Sequence, residues 1–477
     1  MRFSAAVLSL CFASSFAVQS VASSSEWYAS GEEYIQARLA VTKNTNRAKN
    51  VIVFIGDGMG VSTVTAARIF DGQSRGASGE ENVLPFETFP HVGLVKTYNV
   101  NQQVPDSAGT ASAIHTGVKT RAGVLGVSGD APRGDCVAAK AHRVANMAEV
   151  MKKQGKRVGV VTSTRVTHAT PASVYAHIPD RNWEASGDVP AEAAKAGCLS
   201  IARQLVEFNQ KGAIDVSFGG GKKEFTEEEL AHWQKRGTLV ESGAQMASLS
   251  SKDLPVLGLF SSSHMPYVIE RQEESAVPSL SDMAVKAVEL LSKNKKGFYL
   301  LVEGGRIDHG HHSGQAGKAL AEAQEFAEAV KAVLAKVDLS ETLVIVTADH
   351  SHVLSMGGYP TRGNPILGVV KSNDEHGEPK TEPETAFDNQ PYTTLGYYNG
   401  PGAVKGARAK PETGLHAVQQ ALVPTGYEYH GQPYMSETHG GEDVPIYAIG
   451  PYSHLVGGVM EQNVIFHIVR YAVKQKK

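Results

Sequence analysis

The sequence predicts an α/β fold in which a mostly parallel sheet is covered by helices on both faces. Three observations predict it. Short β-branched runs, each closing on a glycine or a polar turn, recur at wide spacing. Helical periodicities fill the intervals between them. Carboxylates and imidazoles gather just past the ends of the runs, in the crevice where open α/β sheets bind ligands.

In chain order the runs are Val51 to Ile55, Arg157 to Val161, Phe298 to Val302, Leu343 to Val346 and Val444 to Ile449. Near-continuous apolar character suits strands buried on both faces. The clearest helix spans Gln315 to Val337, where Leu320, Ala323, Ala327, Val330, Leu334 and Val337 recur at three- and four-residue steps. Thr361 to Glu437, rich in Gly, Pro, Asn and charge, reads as an irregular insertion between two core elements.

Composition narrows the function. The chain has 477 residues, 42% hydrophobic and 20% charged, with no apolar run after the N-terminus near the roughly 18 residues of a membrane span. This predicts a soluble globular protein. Lys+Arg 46 against Asp+Glu 49 gives a formal net charge of -3, so there is no electrostatic footprint for nucleic acid. Residues 1–22 read as an export signal: Arg2, an apolar stretch from Ala5 to Val18, then Ser20-Val21-Ala22 at a plausible cleavage point. Residues 23–477 would form the mature chain. Tyr471 to Lys477 offers no apolar anchor tail, so the expected product is free in the periplasm or secreted, with no membrane anchor. Of the three cysteines, Cys11 lies in the signal. Cys136 and Cys198 form an even pair that an oxidising compartment would join.

The polar residues carry the chemistry. Asp57 follows the first run, His168 and Thr170 the second, Glu303, Asp308, His309 and His312 the third, and Asp349 and His350 the fourth. A cluster of His and Asp without thiolate suits zinc in a hydrolytic role. Asp308 and His312, four apart, share one side of a helical turn. Asp349 and His350 are adjacent and need a bent backbone to chelate together, while His439 supplies an imidazole from a remote segment. His91, His232 and His264 read as hydrogen-bonded core histidines. Ser107, in Asp106-Ser107-Ala108-Gly109-Thr110-Ala111, is either an N-cap or a nucleophile at a helix N-terminus, where backbone N–H groups favour a phosphate.

Two glycine motifs mislead. Gly56-Asp57-Gly58-Met59-Gly60 has Val61 in place of the third glycine of a dinucleotide fingerprint, and Asp57 would repel a pyrophosphate. Gly219-Gly220-Gly221-Lys222 lacks the Walker spacing and reads as a turn.

Asn50 to Gly72, Asp106 to Ala111, Val158 to Trp183, Gly297 to His312, Val346 to Gly363 and Glu437 to Pro451 closely resemble the alkaline phosphatase family, especially its animal branch. The resemblance runs from about Trp27 to Val469. It implies hydrolysis of phosphate monoesters to an alcohol and inorganic phosphate through a phosphoserine on Ser107, with Arg181 clamping phosphate oxygens by its planar fork. It implies two zinc ions, one on Asp308, His312 and His439 and the other on Asp57, Asp349 and His350. A magnesium ion would take Asp57, Thr170, Glu303 and waters, a hard oxygen set. His168 and His309 would act through water as outer contacts to magnesium and phosphate. The resemblance further implies a homodimer and casts 361–437 as a crown-like insertion.

Other reactions fit less well. A sulfatase needs a Cys or Ser in a C/S-x-P-x-R context, absent around Cys136 and Cys198, and the diesterase branch usually places Thr where Ser107 stands. A zinc reservoir would need neither Ser107 nor Arg181.

Overall fold

All five predicted runs are strands of one ten-stranded sheet in the computed structural model, which describes residues 24–210, 214–272, 276–429 and 432–474. The export signal lies outside the described residues. The strands are β1 Asn50–Gly56, β2 His91–Lys96, β3 Arg157–Arg165, β4 Val216–Gly220, β5 Thr238–Val240, β6 Val256–Leu259, β7 Phe298–Gly304, β8 Thr342–Ala348, β9 Val444–Ile449 and β10 Gly458–Glu461. Across the sheet they stand in the order β10-β2-β9-β8-β1-β7-β3-β4-β6-β5. Neighbours pair in parallel, except that β9 is antiparallel to both β8 and β2.

The central strands β1, β7 and β8 are buried at every position, which is why their sequences are uniformly apolar. Margin strands carry weaker signals: β2 alternates between exposed and buried residues, and β5 has only three. The triple glycine is a partial correction. Gly219 and Gly220 close β4, and the turn comes at Gly221, with φ of 101°. A Cβ on Gly220 would sit 2.0 Å from the Ser263 carbonyl, so that glycine answers to close packing rather than to a turn.

The helices used below are α1 Ser24–Leu39, α2 Val61–Ser74, α3 Ser107–Thr116, α4 Ala169–Ser173, α5 Arg306–His312, α6 Ala316–Leu334 and α7 Val464–Val473. The helix α1 belongs to a unit ending at Thr42, and residues 43–477 form another. On α6 the predicted stripe buries Leu320, Ala323, Ala327 and Val330. Its Phe326 meets Phe54 of β1 edge-on at 5.9 Å, a ring whose burial contributes roughly 1.5–3 kcal/mol. Cys136 and Cys198 are bonded, with Cα atoms 5.8 Å apart and 62 residues of separation. The segment 361–437 holds little regular structure. Its Leu395–Asn399 and Ala421–Val423 join Leu354–Met356 in a small sheet, and Gly426–Tyr429 pairs with Gln432–Met435 as a hairpin. Among the described residues, no helix is long and apolar enough to cross a membrane.

Candidate active site

Parallel strands deliver their successors to one edge of the sheet, and here Asp57, His168, Glu303 and Asp349 all stand at the carboxyl ends of β1, β3, β7 and β8. The reversal of β9 explains how His439 joins them. An antiparallel strand begins where its neighbours end, so the segment before Val444 lies at the same edge, with His439–Gly440 paired to Ser351–His352. Gly58, at φ of 70°, lets the chain turn immediately after Asp57; a Cβ there would meet the His352 ring at 2.3 Å.

Asp308 and His312 face the same way on α5, with His312 Nε2 and His439 Nε2 each 3.3 Å from Asp308 Oδ1 and 3.1 Å from one another. Both imidazoles have fixed tautomers. His312 Nδ1 donates to the Glu437 carbonyl and His439 Nδ1 to the Pro105 carbonyl, each at 2.7 Å. The two Nε2 atoms therefore converge on one another and on a single carboxylate oxygen, an arrangement suited to holding a cation between them.

The second cluster repeats this logic. His350 Nδ1 donates to the Ser351 carbonyl, so Nε2 turns a lone pair toward Asp57 Oδ1 at 3.2 Å and Asp349 Oδ2 at 3.5 Å. The adjacent Asp349 and His350 do converge, because Asp349 Oδ1 accepts from the backbone N–H groups of Gly58 and His350, and Oδ2 accepts from the Thr110 hydroxyl. A third group joins Asp57, His168 and Glu303, whose candidate ligand atoms lie within 4.8 Å of one another. Asp57 Oδ2, Thr170 Oγ1 and Glu303 Oε1 are buried there without a hydrogen-bond partner among the described residues. Orphaned acceptors beside carboxylates suit a hard cation such as magnesium.

Electrostatics sharpen the picture. Burial, then the carboxylates of Asp349, Asp308 and Glu303, push Asp57 well above its ordinary range. Burial also raises Glu303 to about 7 and lowers His309 to about 3. Asp308 is held well below the usual range: burial opposes this, but His312, His352 and His439 override it.

Ser107 opens α3 as its first residue, and the cap is Asp106, whose carboxylate accepts from the Gly109 N–H at 3.1 Å. That leaves the Ser107 hydroxyl uncommitted to capping, 3.1 Å from His350 Nε2 and 3.4 Å from Asp57 Oδ1. Arg181 lies beside it, one arm donating to Asp106 Oδ2 at 3.1 Å and the other to His168 Nε2 at 3.2 Å. His309 is 4.0 Å from Asp308.

Sequence reasoning missed two residues here. His352 donates from Nδ1 to Glu437 at 2.5 Å and from Nε2 to Asp308 at 2.8 Å. Burial opposes its charge, yet the two carboxylates raise it to about 10. Glu437, buried between His352 and the Val353 N–H, is the second. His264, read from the sequence as a hydrogen-bonded histidine, does take a hydrogen bond from Arg165, and it packs beside His309 and His168, with ring centroids 4.3 and 5.4 Å away. The spacing of His352 from His350 was the available signal. Alternate residues entering a short strand both reach the cluster when that strand lies across it.

A mostly parallel sheet whose carboxyl edge gathers carboxylates, imidazoles, a serine hydroxyl and an arginine fork is the framework of a hydrolase with candidate metal sites. Comparison places it more narrowly. The alkaline phosphatase family matches residues 48–475. An alkaline phosphatase of Gadus morhua is 43% identical over 461 residues, covering 90% of this chain and 93% of its own. The tissue-nonspecific isozyme of Homo sapiens is 41% identical over 478 residues, covering 94% and 88%. The crystal structure of Thermus thermophilus alkaline phosphatase superposes with a TM-score of 0.64 at 24% identity, covering 91% of this chain and 93% of its own, a likeness of fold. The chain belongs to the alkaline phosphatase family, and phosphate monoester hydrolysis is the activity that membership supports.

Proposed function

We propose that the protein hydrolyses phosphate monoesters through a phosphoserine on Ser107, with two zinc ions and one magnesium ion bound. Asp308, His312 and His439 would hold one zinc, Asp57, Asp349 and His350 the other, and Asp57, Thr170 and Glu303 the magnesium. The bound cations would supply Lewis-acid charge that favours the serine alkoxide and the departing oxygen.

The protein's own groups do the rest. Ser107 Oγ forms the bond to phosphorus as the ester oxygen leaves as the alcohol, and water then cleaves the phosphoserine to inorganic phosphate. Arg181 offers two N–H donors in one plane to the phosphate, and Asp106 aims it. His168 and His309 act through water. Burial lowers both imidazoles, so they meet a phosphate or a hydrated cation as neutral groups. The observation that carries this reading is the uncapped Ser107 hydroxyl, 3.1 Å from the lone pair of His350.

The test is hydrolysis of a chromogenic phosphate monoester beside the matching sulfate and diester, before and after chelation and zinc readdition. Metal-dependent turnover confined to the monoester, with phosphate trapped on Ser107 at mildly acidic pH, supports the reading; label on another residue overturns it. We also propose an exported protein, periplasmic or secreted after loss of residues 1–22, that works as a homodimer with 361–437 as its crown. Light scattering and N-terminal sequencing of secreted material check both.

A further inference from the structure

The two imidazoles proposed to act through water, His168 and His309, pack against a third. His168, His264 and His309 close a triangle: centroids are 5.4 Å apart for His168 and His264, 4.3 Å for His264 and His309, and 5.6 Å for His168 and His309. Each ring takes one guanidinium N–H. His168 Nε2 accepts from Arg181 at 3.2 Å, His309 Nδ1 from Arg306 at 2.9 Å and His264 Nε2 from Arg165 at 2.5 Å. An arginine N–H can only donate, so all three ring atoms are acceptors. For His309 this puts the ring's hydrogen on Nε2, the atom that lies 4.0 Å from Asp308 Oδ2.

The loop after β6 backs that ring. The Ser261 hydroxyl donates to the carbonyls of Ser263 and His264 at 2.8 and 2.9 Å, and the Met265 N–H donates to the Ser163 carbonyl of β3 at 3.1 Å. From this pinned loop Tyr267 lays its ring 3.6 Å from the Arg306 guanidinium, and His264 packs on His309 itself. Arg165, which holds His264, is fixed in turn by Glu184: its Nε donates at 2.8 Å, its Nη2 donates to the other oxygen, and the Thr167 hydroxyl donates to the same carboxylate at 2.6 Å. A side chain that only filled space would need no polar atoms here, yet His264 Nδ1 is buried without a hydrogen-bond partner among the described residues.

We propose that His264 is a positioning residue of the phosphate site: it passes the hold of Arg165 to the ring of His309 and keeps the His309 Nε2–H turned toward the cluster. The inference rests on the hydrolase reading above. His264 acts without touching substrate. A ring already clamped by Arg306 and by His264 gives up less freedom when phosphate and its water arrive, so phosphate binds more tightly.

The test measures binding of inorganic phosphate by calorimetry to the full metal-loaded protein, as wild type, His264→Gln, His264→Phe, His309→Ala and the double variant of the last two. Gln can accept from Arg165 and should stay within about threefold of wild type, whereas Phe fills the space without accepting and should bind about tenfold more weakly, as for residues coupled by contact. In the His309→Ala background the change to Phe should add no further loss, because the ring it positions is gone. His264→Ala reads the same loss should the phenyl ring prevent folding. Phe binding like wild type, Gln binding as weakly as Phe, equal losses in both backgrounds, or metal lost from the Phe variant by elemental analysis each overturn the inference and leave the hydrolase reading intact. Wild type that neither binds phosphate nor hydrolyses any monoester overturns the hydrolase reading itself.

Discussion

At the amino edge of the sheet, Lys156 is 2% exposed and its ammonium donates to the carbonyls of Lys49 and Lys296. Nearby, Asp215 accepts from the Val158 N–H and from Lys152. At the carboxyl edge, Asp57 is fully buried with one oxygen unpartnered, and two imidazole nitrogens stand 3.1 Å apart beside the Asp308 carboxylate. The same sheet thus gives its buried charge hydrogen-bond partners at one end and leaves it confronted at the other. Confronted charge costs stability unless a cation arrives, and that is where the proposed site lies.

The largest effect that sharpens this contrast is on chemistry. Ser107→Ala should lower monoester turnover by about a thousandfold or more while thermal midpoint and metal content stay at wild-type values, because it removes only the covalent route. Elemental analysis and calorimetry on the variant check both halves. Next, Arg181→Lys loses the planar fork, and inhibition by inorganic phosphate should weaken about ten- to a hundredfold with metal binding retained; unchanged inhibition would remove Arg181 from the site.

Two smaller effects test the contrast in stability itself. Asp57 is forced above its ordinary range, so its charge disfavours the metal-free fold at neutral pH. Asp57→Asn should raise the melting temperature of chelated protein by a few degrees and lower metal affinity. A drop in the chelated protein would show that the carboxyl edge is not strained. Lys156 gives the pH dependence. Burial lowers it from 10.5 to about 8. Between pH 8 and 10.5 the unfolded lysine holds a proton that the folded one has lost, so this group's contribution to stability rises with pH in that window and is flat below it. The thermal midpoint of wild type relative to Lys156→Met should therefore climb from pH 8 to pH 10, and a constant difference would refute the burial argument.

Legibility followed from how directly a residue's surroundings shape its sequence. Strands β1, β7 and β8 were readable because complete burial admits only apolar side chains, and their polar successors stood out against them. The margin strand β10 left no such contrast, being exposed at two of its four positions. Asp308 and His312 were readable because helical spacing alone sets them side by side. Arg181 was visible only through family resemblance, since it reaches the cluster across 75 residues from Asp106. His352 and Glu437 hold Asp308 and its neighbours through hydrogen bonds; His352 had only its two-residue spacing from His350 to mark it, and Glu437 had no spacing rule at all.

The single reversed strand has a consequence for assembly. Because β9 turns the chain back, the cluster draws its first member, Asp57, from near the start of the fold and its final one, His439, from near the end. A nascent chain can therefore finish β1, α3 and β3 and still lack part of the candidate cluster. Closing so long a loop is an entropic step that comes late, and contacts of such wide sequence separation slow folding. Under the proposed ligand set, cation capture would become a completion signal, since a fragment ending before His439 lacks part of the cluster.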